Sequence, residues 1–155
     1  MLLASAICSC SEKQPETTEP MITKTEIQVE NGHFTPEIMH RLGKVGDVQV
    51  SPNHAKILYG VTYTSIEQNK GNRELYLMNV DGSENVKITN TPKSESNARW
   101  INDSQIIYMR SGKLYTATIE GSTLKNETEV AGAEGMESFE LSPAGDKIMF
   151  IKSVK

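Results

Sequence analysis

The chain has 155 residues, 20 acidic against 16 basic, a formal net charge of -4, and 37% apolar with 23% charged side chains, which is ordinary for a soluble globular protein able to bury one core. No Lys/Arg cluster longer than a pair interrupts that acidic balance, so a nucleic-acid footprint is excluded. Both cysteines, Cys8 and Cys10, lie in the first ten residues, and the remaining 145 therefore hold no disulfide framework, cysteine-based zinc site or cysteine nucleophile.

In chain order, residues 1–7 (MLLASAI) form an apolar run too short to span a bilayer but matching the hydrophobic part of a secretory signal. The residues that follow resemble a bacterial lipoprotein signal, in which the cysteine at the cleavage site is lipidated. Cys10, preceded by Ile7, Cys8 and Ser9 and followed by a polar acidic stretch, is the better lipidation candidate, and Cys8 the weaker. The bland alternative is an N-terminus with two exposed thiols. The lipoprotein reading implies a periplasmic or outer-membrane-anchored, extracytoplasmic protein with a lipid tether. Residues 11–32 are rich in Glu, Thr, Pro and Lys without a sustained period and read as a disordered tether, with a short strand starting at 27–29.

A short helix is predicted next. Thr35 is its N-cap, Pro36 its first helical residue and Glu37 lies in the positive-dipole turn. Ile38 and Leu42 would form its buried edge and Gly43 would stop it. After Gly46 the pattern turns to period two. Strands are predicted over 55–63 (AKILYGVTY), 73–80 (RELYLMNV) and 85–89 (NVKIT), with Asp81 and Gly82 as a positive-φ hairpin pair. A second unit follows over 96–101, 105–109, a tight turn at Ser111 and Gly112, 113–119 and a last strand near 127–131. A third unit has 137–141 and 147–151.

Three stretches are copies of one another: 48–59 (VQVSPNHAKILY), 98–108 (ARWINDSQIIY) and 139–150 (FELSPAGDKIMF). Val50 to Trp100 is 50 residues and Trp100 to Leu141 is 41, a spacing expected of stacked β-blades. The expected fold is all-β: a partial β-propeller of about two and a half four-stranded blades with a short N-terminal helix and a disordered N-terminal tether. The expected division is a signal remnant at 1–10, a linker at 11–32 and the propeller at 33–155. Because the third copy breaks off in mid-blade, the chain is expected to be the opening segment of a longer protein.

The alternation of Ser-Pro-x-x-x-Lys-Ile (Ser51, Pro52, Lys56, Ile57) with ELYLMNVDGS (74–83) and Lys87-Ile88-Thr89-Asn90 is similar to the propeller repeat of TolB and of the prolyl oligopeptidase family. Ser142-Pro143-Ala144-Gly145-Asp146-Lys147 keeps it, and the second copy, Ile101-Asn102-Asp103, has lost the Ser-Pro. The lead-in Phe34-Thr35-Pro36-Glu37 resembles the opening of acylaminoacyl-peptidase and dipeptidyl-peptidase members. That resemblance implies a propeller restricting and orienting short peptides for an α/β-hydrolase domain with a Ser, Asp, His triad. No Gly-x-Ser-x-Gly elbow occurs in the chain, so no catalytic residue is assigned in it. The alternative is a non-enzymatic TolB-type periplasmic propeller that binds proteins; a third, a standalone small β-protein, is disfavoured by the unfinished blade.

No cofactor or metal is expected. His33, His40 and His54 read as surface residues, and Asp47, Asp81, Asp103 and Asp146 as turn residues bonding their own backbone, with calcium binding the lesser reading. Glu134 and Glu137, flanking Gly135 and Met136, are weak candidates for pairing with a peptide substrate's amino terminus, as propeller glutamates do in some dipeptidyl peptidases; a solvated loop is the bland reading. Asn126-Glu127-Thr128 fits a glycosylation sequon that is accidental in a bacterial-type lipoprotein.

Overall fold

Ser51 and Ser142, the serines of the first and third copies, each close a turn through the same bonds. The backbone N–H of Ser51 donates to Lys56 O (2.8 Å) while its Oγ accepts from the N–H of Lys56 (2.9 Å). Ser142 repeats this with Lys147 O (2.9 Å) and the Lys147 N–H (3.1 Å). His54 (φ 57°) and Gly145 (φ 70°) occupy the same left-handed position between them. In the second copy, whose turn is one residue shorter, Asn102 Oδ1 accepts from the N–H groups of Ser104 and Gln105 instead.

These turns link the strands of a partial β-propeller, seen in a computed structural model that describes residues 20–153. The first blade is an antiparallel sheet ordered β1 (Lys44–Val50), β2 (Lys56–Ser65), β3 (Lys70–Asn79), β4 (Val86–Lys87). The second repeats the order with β5 (Glu95–Trp100), β6 (Gln105–Arg110), β7 (Lys113–Glu120) and β8 (Thr123–Glu129), and β9 (Met136–Leu141) pairs with β10 (Ile148–Lys152). A 3-10 turn (Glu30–Gly32) and helix α1 (Pro36–Arg41) precede the blades. Ten strands in this order match the expected fold class.

The core explains why the β6 sequence, Gln105-Ile-Ile-Tyr-Met-Arg110, is apolar without alternation. Ile106 and Tyr108 pack with Leu58, Leu75 and Leu77 of the first blade, together with Ala98, Trp100, Ala117 and Ile119. Ile107 and Met109 lie on the opposite face with Leu114, Ala133, Met136 and Phe139. A strand buried on both faces loses its period-two signature. The paired strands also repeat a stacked tyrosine pair, Tyr59 on Tyr76 and Tyr108 on Tyr115.

Several expectations change. Residues 27–29 form no strand. Helix α1 keeps its Thr35 cap, whose Oγ1 accepts from Ile38 N–H at 3.3 Å, but it buries no residue fully and Leu42 is 42% exposed. Gly43 does not turn left-handed. It is needed because a Cβ there would stand 2.8 Å from Val61 Cγ1 and 2.9 Å from Tyr63 Cε1. Of Asp81 and Gly82, only Gly82 has positive φ (85°). The strand placed at 127–131 is β8, which begins at Thr123 because Gly121 (φ 61°) and Ser122 make a two-residue hairpin turn with Glu120 opposite Thr123.

Candidate functional site

Strands β1, β5 and β9 begin the three sheets and are tied to one another in sequence. Asp47 and Asn97 are equivalent residues in β-bulges, both left-handed (φ 52° and 51°). Asp47 Oδ2 accepts from the Asn97 N–H (3.3 Å), and Asn97 Nδ2 donates to Phe139 O (2.7 Å). Arg99 reaches Glu140 at 3.3 Å, and Trp100 Nε1 donates to Gln49 O at 3.3 Å. Asp47 also pairs with Arg73 of β3 (2.8 Å), whose guanidinium passes over Gly46 and Gly60, partners across the β1–β2 ladder.

The four aspartates therefore part company. Asp81 Oδ1 does bond its own turn, accepting from Ser83 N–H and Oγ. Asp47 sits in a strand bulge, Asp103 Oδ1 accepts from the Asn53 N–H of the neighbouring blade's turn (2.8 Å), and Asp146 accepts from Ser142 Oγ (2.7 Å). Two of the four thus join sheets, because a bulge or a turn apex carries the carboxylate past its own ladder. Among the described residues, no three His, Cys, Asp or Glu side chains come together to hold a metal ion.

Glu134 and Glu137 flank the start of β9, where Gly135 turns left-handed (φ 70°) and Met136 is buried. Both glutamates are exposed. Glu137 accepts from Ser153 Oγ, and Glu134 from the Gly132 N–H at 3.3 Å. Neither lines the two hollows beside the N-terminal segment, of about 560 Å³ (Met21, Ile22, Arg41, Ile66, Glu67) and about 250 Å³ (Ile27, His33, Ile38). Glu37 borders both hollows, and its own backbone N–H with the Thr35 hydroxyl holds its carboxyl below the usual range. Cys8 and Cys10 lie outside the described residues.

The densest polar chemistry is a node that the sequence pattern did not reveal. Arg110, at the end of β6, donates from Nε to Glu95 (2.7 Å) and from both terminal nitrogens to Glu127 (2.8 Å each). Tyr108 donates its hydroxyl to Glu127, and the Arg110 guanidinium stacks 4.9 Å from the Tyr115 ring. Toward the first blade, Thr91 Oγ1 donates to Glu95 (2.8 Å) and the Thr91 N–H to Glu74 (3.1 Å). Glu74 also accepts from Asn72 Nδ2 (3.2 Å) and Thr89 Oγ1 (2.7 Å). Arg110 holds the Glu127 carboxyl below its usual range, whereas burial pushes the Tyr108 hydroxyl up. Glu95 meets Arg110 only because the bulge at Asn97 shifts the β5–β6 register by one, and the one trace of it in the sequence is an asparagine, a residue type that tolerates the left-handed conformation seen there (φ 51°).

No protein-family model matches the chain. It is 29% identical over 126 residues to dipeptidyl-peptidase 5 of Porphyromonas gingivalis, a match covering 79% of this chain and 18% of that protein. It is 26% identical over 136 residues to dipeptidyl-peptidase 5 of Porphyromonas endodontalis, covering 84% of this chain and 19% of that protein. The similarity is distant and partial: the matched region spans less than a fifth of either relative.

Proposed function

We propose that this chain is the propeller segment of a secreted or lipid-anchored serine exopeptidase, and that it restricts and orients short peptides for a catalytic α/β-hydrolase domain carried elsewhere in the polypeptide. The observation behind this reading is the partial similarity to two dipeptidyl peptidases in a chain built of propeller blades. The division into a signal remnant at 1–10, a tether at 11–32 and a propeller from 33 belongs to the same proposal, with Cys10 as the lipidated residue and an extracytoplasmic location. Glu137, with Glu134 beside it, is the proposed contact for a substrate's amino terminus, since both carboxylates are exposed at the start of the third sheet.

The test is the polypeptide encoded by the whole reading frame, assayed on dipeptidyl chromogenic substrates with and without a serine-directed organophosphate. Release of dipeptides that the inhibitor abolishes is the expected result. In that polypeptide Glu137→Gln should raise KM with little change in kcat, because the carboxylate is asked only to hold a cation. A product that binds proteins but releases no dipeptide would replace this reading with the non-enzymatic propeller.

A further inference from the structure

We infer that Glu95 is uncharged in the folded protein, carrying a proton on Oε2, and that the junction between the first two blades is a pH-responsive tie that loosens when this proton leaves. Glu95 is 0% exposed, and its Oε1 already takes the bonds from Thr91 and Arg110. Its Oε2 is buried with no hydrogen-bond partner among the described residues, and so is Oδ1 of Asn72, a residue 3% exposed. Both orphan atoms are acceptors when Glu95 is ionised, so neither can satisfy the other or itself. A proton on Oε2 removes the unmatched charge from a buried atom that no donor meets.

Charge counting leads to the same place. Three carboxylates, Glu74 on β3, Glu95 on β5 and Glu127 on β8, face one cation, Arg110 on β6, and Glu127 already takes two of its bonds. Tyr108, the other titratable group on β6, donates to Glu127 rather than to Glu95. Glu74 is met by neutral donors from Asn72, Thr89 and Thr91. A neutral Glu95 leaves Arg110 and Glu127 balanced and keeps both bonds on Oε1. Burial is the largest influence on Glu95 and pushes its carboxyl up; the bonds from Thr91 and Arg110 pull it down, and the Glu74 carboxylate adds to the rise.

The direction of the pH effect follows from linkage. A carboxyl raised on folding contributes stability that is complete below its unfolded value, about 4.3 for glutamate, and is lost as pH rises through the folded value. The tie is therefore fastened in acid and slackens toward neutral or alkaline pH. Glu95→Gln mimics the protonated form, since an amide accepts at Oε1 and donates at Nε2.

The experiment compares thermal midpoints of the full 155-residue chain and its Glu95→Gln variant across the acid to alkaline range, alongside NMR titration of the glutamate side-chain carboxyl carbons in the unaltered protein. The expected result is a variant at least as stable as the parent at neutral pH, with the difference closing in acid, and one carboxyl carbon that titrates above all the others. A Glu95→Gln variant that loses stability at neutral pH and recovers it in acid, or a set of glutamates that all titrate in the ordinary range, would overturn the inference. The NMR titration needs no variant, so it decides the matter even if Glu95→Gln does not fold.

Discussion

Ser51 is buried and accepts at Oγ from the N–H groups of Ala55 and Lys56, while donating to Asn53. Ser51→Ala takes the side-chain acceptor from the Lys56 N–H, while the Ala55 N–H keeps Asn53 Oδ1 (3.1 Å), and the expected loss is about 1 kcal/mol by urea denaturation. Ser142→Ala removes the equivalent bond from the Lys147 N–H and the one to Asp146, both open to solvent, where water substitutes, and should cost less. Gly60 makes a second residue-level prediction. A methyl there would collide with the Arg73 guanidinium, which lies across it to reach Asp47. Gly60→Ala should therefore destabilise by about 1–3 kcal/mol, and most of that cost should vanish in an Arg73→Ala background. An equal cost in both backgrounds would place the constraint in the backbone instead. The Ser-Pro turns were legible because the same residue type recurs in two copies. Arg73 over Gly60 was not, because it depends on which residues stand opposite one another on neighbouring strands.

At the level of elements, the β6–β7 hairpin turns on Ser111 (φ 52°) and Gly112 (φ 70°), the two left-handed residues that a two-residue turn of this hand needs. Gly112→Ala places a side chain in that conformation, with the Gly135 Cα 3.8 Å from the new methyl. A loss of about 1 kcal/mol or more is expected in urea denaturation, with β6 and β7 unzipping first. This turn was plain in the sequence, as were nearly all the strands, since Gly, Asn and Asp punctuate apolar runs. The bulges were not. One extra residue at Asp47 or Asn97 leaves the apolar pattern readable but slides every partner beyond it, which is how Glu95 comes to face Arg110 across the ladder. The candidate site divides in the same way. Glu134 and Glu137 were found by position and composition, while the node of Glu74, Glu95, Arg110 and Glu127 gathers residues from four strands whose separation hides their contact.

Among the described residues the three sheets form a row of neighbours sharing two cores: Leu58, Leu75 and Leu77 meet the second blade, whose other face meets Met136 and Phe139. Stability in such a row is approximately a sum of the sheets and the interfaces between them. The second interface is the smaller, and β10 beyond it is open to solvent, with Met149 68% exposed. Phe139→Ala should cost about 3–5 kcal/mol at this interface. The effect should be confined: amide exchange ought to become fast in β9 and β10 while β2, β3 and β6 stay protected. Trp100→Ala strikes the first interface, where the indole packs with Leu58, Tyr108 and their neighbours and donates to Gln49, so both blades should lose protection together. If Phe139→Ala instead raised exchange equally in all three sheets, the row would be folding as one cooperative unit, and the buried node between the first two blades could not act as a local tie.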